Sequence, residues 1–417
     1  MPAQCSSVRL LEHGFKWTFW LHLALYMPRF RLEHASAWET DSFLSAEPQW
    51  LAIYFAFIAM SLMSMDADEA GRAGLSLENA TDLVRNWYDA SLFFLDEADF
   101  LRTPDLRSTQ AIAILLGLAK NVGDFGIQPL LQVTGIRIAQ ILGMDCEPPR
   151  VSEDPTTQEI SRRIWWTLVI CEWLCIPSRR PSIHEADFNV WVPSPLSDDD
   201  DSDAHPATRG LRLIDYHHAM IGLARTVYRF RAEMAAFKGY EGGDALDAIV
   251  LKADEALANI IAGLPSPFLD LSGREAAASN NGEYPPWVLS QQTGLSLSFL
   301  YYRMSINRSL QHRWASSDLL LARSKAVCLD SANAIVALMN DHNLTVSRYW
   351  QWPATSNLFS AALTLATEAK LLLDRDAAEE YISRVRVCFS VLERVKGHSA
   401  LAARALDELS VFCIDLL

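Results

Sequence analysis

Apolar residues recur at three- and four-residue intervals along most of the chain, and no stretch of useful length alternates strictly between apolar and polar positions. That period belongs to helices with one buried face, because side chains three and four apart stack on the same side of a 3.6-residue turn. An all-α fold is therefore expected: one large multi-helix unit over residues 1–417, its helices packed around one extended core. The clearest part is residues 130–193. Its first segment, LLQVTGIRIAQILGMD, carries Leu131, Ile136, Ile138, Ile141 and Leu142 at mostly helical spacing. Gly143 is a natural place for the chain to leave helical geometry, and Pro148 and Pro149, which lack N–H donors, oppose continuation. The second segment, TTQEISRRIWWTLVICEWLC, has a stripe of Ile160, Ile164, Leu168, Cys171 and Cys175. Thr156 or Thr157 is expected to cap it, and Glu159 stands four residues before Arg163, the favourable order for a surface ion pair.

Elsewhere the pattern predicts a core helix at Trp17–Met27, a linker ending at Ser45-Ala46-Glu47-Pro48 with Ser45 as helix cap, and a buried helix over Trp50–Met65. Further helices are expected at Ser76–Leu101, Thr109–Val122, Thr208–Phe237, Asp244–Leu264, Pro286–Trp314, Ser316–Met339, Ser356–Leu373, Ala377–Val395 and Ser399–Leu416. Residues 194–206 change sharply to Ser, Pro and Asp and read as a mobile acidic loop. Residues 273–286, rich in Ser, Asn, Gly and Pro, read as a second linker. No internal repeat of fixed period is present.

Composition narrows the class. Of 417 residues, 50% are hydrophobic and 21% charged, an ordinary globular balance. The net charge of −15 repels a phosphate backbone, and no dense Lys/Arg cluster offsets it. The seven cysteines are scattered, which fits neither a disulfide framework nor the six closely spaced thiolates of a binuclear zinc cluster. Trp17–Met27 is followed by Pro28-Arg29-Phe30-Arg31 rather than a small-residue cleavage site. Trp50–Met65 is short for a membrane span.

The order Gln140-Ile141-Leu142-Gly143-Met144, then Glu159, Arg162-Arg163-Ile164-Trp165-Trp166, then Arg180-Pro181, Ile183 and Asp187, then Pro193 resembles the central signature of the fungal-specific transcription factor domain. That domain is the regulatory region of fungal zinc-cluster transcription factors. The chain departs from the pattern at Arg179, where the family usually has Gly, and at Glu172, about where an Asp is common. The signature residues are thus Gly143, Glu159, Arg162, Arg163, Trp165, Trp166, Arg180, Pro181, Asp187 and Pro193. The resemblance implies a nuclear regulator that senses a small molecule or a partner and acts with other transcription-related proteins. No zinc cluster accompanies it here, so no direct nucleic-acid binding is expected from this chain, and no membrane association.

Catalytic alternatives are thin. Asp199, Asp200 and Asp203 spell Asp-Asp-x-x-Asp, the carboxylate motif that holds magnesium in terpene cyclases, but they sit in the acidic loop rather than on a helix wall. Asp215 with His217 and His218 offers an acid–base pair on a helix, against the simpler reading of an exposed face with one satisfied histidine. His184-Glu185 lacks the second histidine of a zinc-protease helix. Adjacent Trp165 and Trp166 cannot share a helix face, so one is expected to pack inward and the other toward the arm that follows. Arg162 and Arg163 are expected to pair with Glu159, Glu172 or Asp187 rather than bind an anionic ligand. No catalytic residue, cofactor or metal ligand is assigned. The competing function is a repurposed helical domain that isomerises or cyclises a small molecule in fungal secondary metabolism.

Overall fold

The structure is a computed structural model that describes residues 1–39, 43–174, 181–196, 211–237, 243–269, 286–314, 319–341, 352–397 and 399–416. Among these residues every regular element is helical, as the periodicity predicts. The chain divides into two compact units. One comprises Met1–His218, Asp270–Gln291 and Ser347–Tyr349; the other comprises Ala219–Leu269, Gln292–Val346 and Trp350–Leu417.

The first unit is organised on helix α3 (Pro48–Met63), which is buried almost all round. Fourteen of its residues, from Trp50 to Met63, are buried, so its hydrophobicity reflects a central position rather than an amphipathic surface. Helices α1 (Gln4–Trp17), α2 (Met27–Glu39), the short α4 (Ala67–Arg72), α5 (Ala80–Glu97) and α6 (Leu106–Leu118) belong to the same unit, and α1, α5 and α6 pack directly on α3. The Ser91 hydroxyl donates to the Ala52 carbonyl at 2.8 Å, tying α5 to α3. Helix α1 approaches α3 very closely at Gly14, where an added Cβ would lie 2.3 Å from Ser61 Oγ and 2.7 Å from the Phe57 ring. Gly14→Ala is accordingly expected to cost about 1–3 kcal/mol by overpacking, measurable as a lowered urea midpoint with unchanged m value.

Three sequence expectations change in this region. Trp17–Met27 is not a helix: α1 ends at Trp17, a single 3-10 turn spans Phe19–Leu21, and Leu23 takes φ 43°. The chain turns there because the buried His22 imidazole accepts the Ala24 N–H at 3.1 Å, and a left-handed residue cannot continue a helix. Much of the stretch leading into the expected linker that ends at Ser45-Ala46-Glu47-Pro48 is helix α2, with Pro28 tolerated in its first turn. At α3 the N-cap is Glu47, without a side-chain cap, rather than Ser45; Pro48 occupies the first helical position, where its missing N–H costs nothing.

Helices α7 (Ile127–Ile141) and α8 (Pro155–Trp173) complete the first unit's larger elements, α6 packing on both. The Gln132 amide donates to the Leu168 carbonyl at 2.8 Å and fixes their register. Leu131, Ile136 and Ile138 are buried as the stripe predicts, but Ile141, the last residue of α7, is exposed.

The second unit contains α9 (Asp215–Ala236) from residue 219 onward, then α10 (Gly243–Ala262) and the single turn α11 (Ser266–Leu269). Helices α12 (Pro286–Arg308, from residue 292), α13 (Leu319–Met339), α14 (Trp352–Leu371), α15 (Arg375–Val395) and α16 (Ala400–Phe412) follow. Helix α14 is its hub, packing on α13, α15 and α16. Buried Asp254 on α10 receives Nε and one terminal nitrogen of Arg303 at 2.9 and 3.1 Å and the Asn307 amide at 3.2 Å. A carboxylate that far from water is tolerated because its lone pairs are filled by donors from α12. No helix among the described residues is long and apolar enough to cross a membrane.

Candidate functional site

The signature residues converge on one structure: an irregular arm, residues 181–196, clamped along one side of α8. The approach to α8 is built first. Gly143 ends α7 with φ 69°, and its Cβ-free backbone lies against Arg150, where a side chain would come within 2.9 Å. Glycine is required there on both counts. The Glu147–Pro148 peptide that follows is cis. The helix start lies earlier than expected: Asp154, not Thr156 or Thr157, is the N-cap, receiving the Thr157 N–H at 3.1 Å and the Thr157 hydroxyl at 2.6 Å, with Pro155 at the first position.

From α8 a row of charged and aromatic side chains reaches out to the arm. The Arg162 guanidinium grips both oxygens of Glu147, its Nε at 3.0 Å, and also donates to Glu159 at 3.2 Å. Arg163 is 1% exposed; its Nε stands 3.6 Å from Glu159 and its terminal nitrogen donates to the Ser194 carbonyl at 3.0 Å. Glu159 returns the contact by accepting the Ser194 N–H at 2.7 Å. The expected surface pair between Glu159 and Arg163 is therefore buried, because the arm covers it. The Trp191 N–H donates to Glu147 at 3.3 Å, and the Arg162 guanidinium lies 5.6 Å from the Trp191 ring centre. Unpaired backbone of an irregular segment needs such partners, since it has no helix or ladder of its own.

The aromatic half of the clamp lies beside it. Trp165, Trp166 and Trp173 are buried, and all three rings meet Phe188 of the arm, at centroid distances of 5.3, 5.4 and 5.9 Å. The Trp166 indole donates to the Trp191 carbonyl at 2.8 Å and that of Trp173 to the Ile183 carbonyl at 3.1 Å. The expectation that Trp165 and Trp166 face different ways changes here: both touch one ring, because Phe188 projects between side chains broad enough to bridge the angle separating neighbouring helical positions. Glu172 accepts the Ser182 N–H at 2.7 Å and its hydroxyl at 2.8 Å. The carboxylate that departs from the usual Asp thus holds the start of the arm rather than pairing with Arg162 or Arg163.

The remaining signature residues have smaller parts. Asp187 accepts the His184 N–H at 2.7 Å and closes the 3-10 turn Glu185–Asp187. Pro181 is half-buried, and Arg180 lies outside the described residues. Pro193 is buried, and its carbonyl meets His218 Nε2 at 2.7 Å. Of the proposed acid–base trio, His218 is occupied with that carbonyl and stands 3.8 Å from Asp215. His217 is fully buried against Thr167 at 3.1 Å, and burial pushes its pKa down to about 3, so it stays neutral. Cys171 is half-buried, while Cys175 and the acidic run 198–203 lie outside the described residues, as do residues 273–285 of the second linker.

Sequence reasoning missed Glu147, Phe188, Trp191 and Ser194, the clamp's other half. Only Glu147 left a trace, as a lone acid beside a diproline.

Two carboxylates of the clamp, Glu147 and Glu159, are shifted in opposite directions. Burial pushes Glu147 up, but the Arg162 hydrogen bonds, the Trp191 amide and the Arg162 charge together outweigh it and hold its pKa below the ordinary value. Burial raises Glu159, and the opposing pull of Arg163, Ser194 and Arg162 does not fully cancel it. Glu147 therefore adds stability that is complete above the normal carboxylate range and is lost as the pH falls through its lowered folded pKa; the Glu159 contribution is lost as the pH rises through its raised one. Glu147→Gln is expected to lower the melting temperature at neutral pH and to flatten its fall as the pH drops through and below the ordinary glutamate range, as followed by circular dichroism.

Residues 18–234, about half of the chain, match the family described as the fungal specific transcription factor domain. Over 122 residues the chain is 33% identical to the aurofusarin cluster transcription factor of Gibberella zeae, covering 29% of this chain and 18% of that one. Over 386 residues it is 22% identical to the agnestins biosynthesis cluster transcription factor of Paecilomyces divaricatus, covering 87% of this chain and 54% of that one. The chain thus spans about half or less of the length of these relatives. A chain in the structure of the K. lactis CBF3 core shares the fold, with a TM-score of 0.62 at 13% identity, over 97% of this chain and 80% of that one. At that identity the likeness concerns the fold alone.

Proposed function

Because the chain belongs to the fungal-specific transcription factor domain family, we propose that it is the regulatory part of a nuclear transcription regulator serving a biosynthetic gene cluster. The observation that carries this reading is the family match over residues 18–234, which takes in the whole clamp. Both named relatives are cluster transcription factors, which supports the link to secondary metabolism. The charged groups of the clamp serve the arm: Arg163, Glu147, Glu159 and Glu172 bind it directly, and Arg162 holds Glu147 and Glu159 in place. The clamp's work is to hold a surface arm in one shape on a rigid helix, the condition for presenting that arm to another protein. The acidic chain contributes partner contact and effector response rather than contact with DNA, since a net charge of −15 opposes a phosphate backbone.

A tethering assay tests this. Fused to a heterologous DNA-binding domain in a filamentous fungus, the chain is expected to change a reporter carrying the cognate sites severalfold, and the purified unfused chain to give no sequence-selective shift of duplex DNA. A reporter indifferent to the fusion would contradict the regulatory reading.

A further inference from the structure

In the first unit, α1 and α4 enclose an open groove of about 640 Å³, within the range of about 300–1,000 Å³ typical of small-molecule sites. Its floor is the buried His13, Met65 and Ala73. Along α1, Arg9, Glu12 or His13, and Lys16 or Trp17 follow one another at helical spacing, so a single helix face lines one wall. Trp17 presents a half-buried indole, with the Lys16 ammonium 5.3 Å from its ring centre. Gly71 and Arg72 form the opposite lip.

The charges in this groove are unbalanced. Its two acids are already engaged: Glu12 receives Arg31 at 3.0 and 2.9 Å, and Glu69 closes the capping box on Asp66 and stands 3.9 Å from His13. Its three bases, Arg9, Lys16 and Arg72, are exposed and have no carboxylate at ion-pair distance among the described residues. In a chain of net charge −15, a groove whose three cations outnumber its two carboxylates, one of them paired with Arg31, carries a local field of the opposite sign beside the Trp17 wall. Arginine's planar fork matches a carboxylate through two parallel hydrogen bonds, and an indole face matches a flat ring.

We propose that the α1–α4 groove binds a small aromatic carboxylic acid, with Arg9 and Arg72 holding the carboxylate and Trp17 stacking on the ring system. This deepens the regulatory reading and rests on it for its meaning: such a ligand is the effector to which the domain responds. Gly71 leaves the entrance open, since a Cβ there would meet nothing within 4 Å.

Isothermal titration of the full chain with anthraquinone-2-carboxylate at low salt tests the site, with anthraquinone-2-carboxamide as the uncharged control. Saturable one-to-one binding is expected, about tenfold or more weaker for the carboxamide and for Arg9→Gln/Arg72→Gln, each about one charge-assisted bidentate contact poorer. The melting curve of this surface variant should match the parent's. No saturable heat up to about 1 mM, or equal affinity in the double arginine variant, would overturn the proposal. Either result with an active tethered reporter removes the groove and keeps the regulator; binding as described with a silent reporter removes the regulator and keeps the groove.

Discussion

Arg163→Ala is expected to destabilise the chain by about 3–5 kcal/mol, because it removes one partner of a buried ion pair and leaves the other in place. Arg163 is 1% exposed, and Glu159 beside it is 6% exposed. With Arg163 gone, Glu159 keeps the Ser194 N–H but, as cationic partner, only the 3.2 Å contact of Arg162, whose guanidinium already serves Glu147, and the Ser194 carbonyl loses its donor. One deficit thus falls on α8 and the other on the end of the arm. Urea unfolding gives the magnitude, and hydrogen exchange should rise selectively over residues 189–196 as the end of the arm loosens. Placing Arg163→Ala in a Glu159→Gln background should cost less than in the parent, since no charge is then stranded. A loss below about 1 kcal/mol, the range of an exposed pair, with unchanged exchange, would show that the arm does not depend on this contact.

Trp166→Ala is expected to cost a similar amount, about 3–5 kcal/mol, for a different physical reason. The indole is fully buried, packs against Phe188 at 5.4 Å and Trp173 at 6.5 Å, and donates to the Trp191 carbonyl at 2.8 Å. Alanine leaves a cavity between two large rings and an acceptor without its donor. Trp166→Phe should recover most of the packing and none of the hydrogen bond, so the loss that remains in the Phe variant isolates the tie to the arm and the difference between Phe and Ala isolates the packing. Equal destabilisation by Phe and Ala would assign the whole effect to that hydrogen bond. A negligible effect of Ala would contradict the clamp.

The helices were legible because burial on one face imposes a period on the residues themselves; α5, α6, α7 and α8 fall close to where that period ends and restarts. Residues 17–27 were misread for a related reason. Their apolar side chains are buried, but around a turn fixed by His22 and Leu23 rather than along a helix, and hydrophobicity without a period cannot distinguish the two. Caps were missed where a better-placed acid stood just upstream, as Asp154 does before Thr156. The candidate site was half legible. The motif order named the side chains that leave α8, yet their partners lie on irregular backbone, where nothing repeats: Arg162 finds Glu147 fifteen positions earlier, and Arg163 finds Ser194 thirty-one later. The groove by α1 left no signature because its cations are separated in sequence at positions 9, 16 and 72 and act together only once folded.

The most direct test of the functional account is transcript abundance across the genome in the producing fungus lacking this gene, complemented with either the parent sequence or Arg163→Ala. The account predicts that a discrete, co-regulated set of biosynthetic genes changes on deletion and returns with the parent, and that Arg163→Ala at comparable protein level fails to restore it. Unaltered transcripts on deletion would contradict a role in regulation, and full rescue by Arg163→Ala would separate that role from the clamped arm.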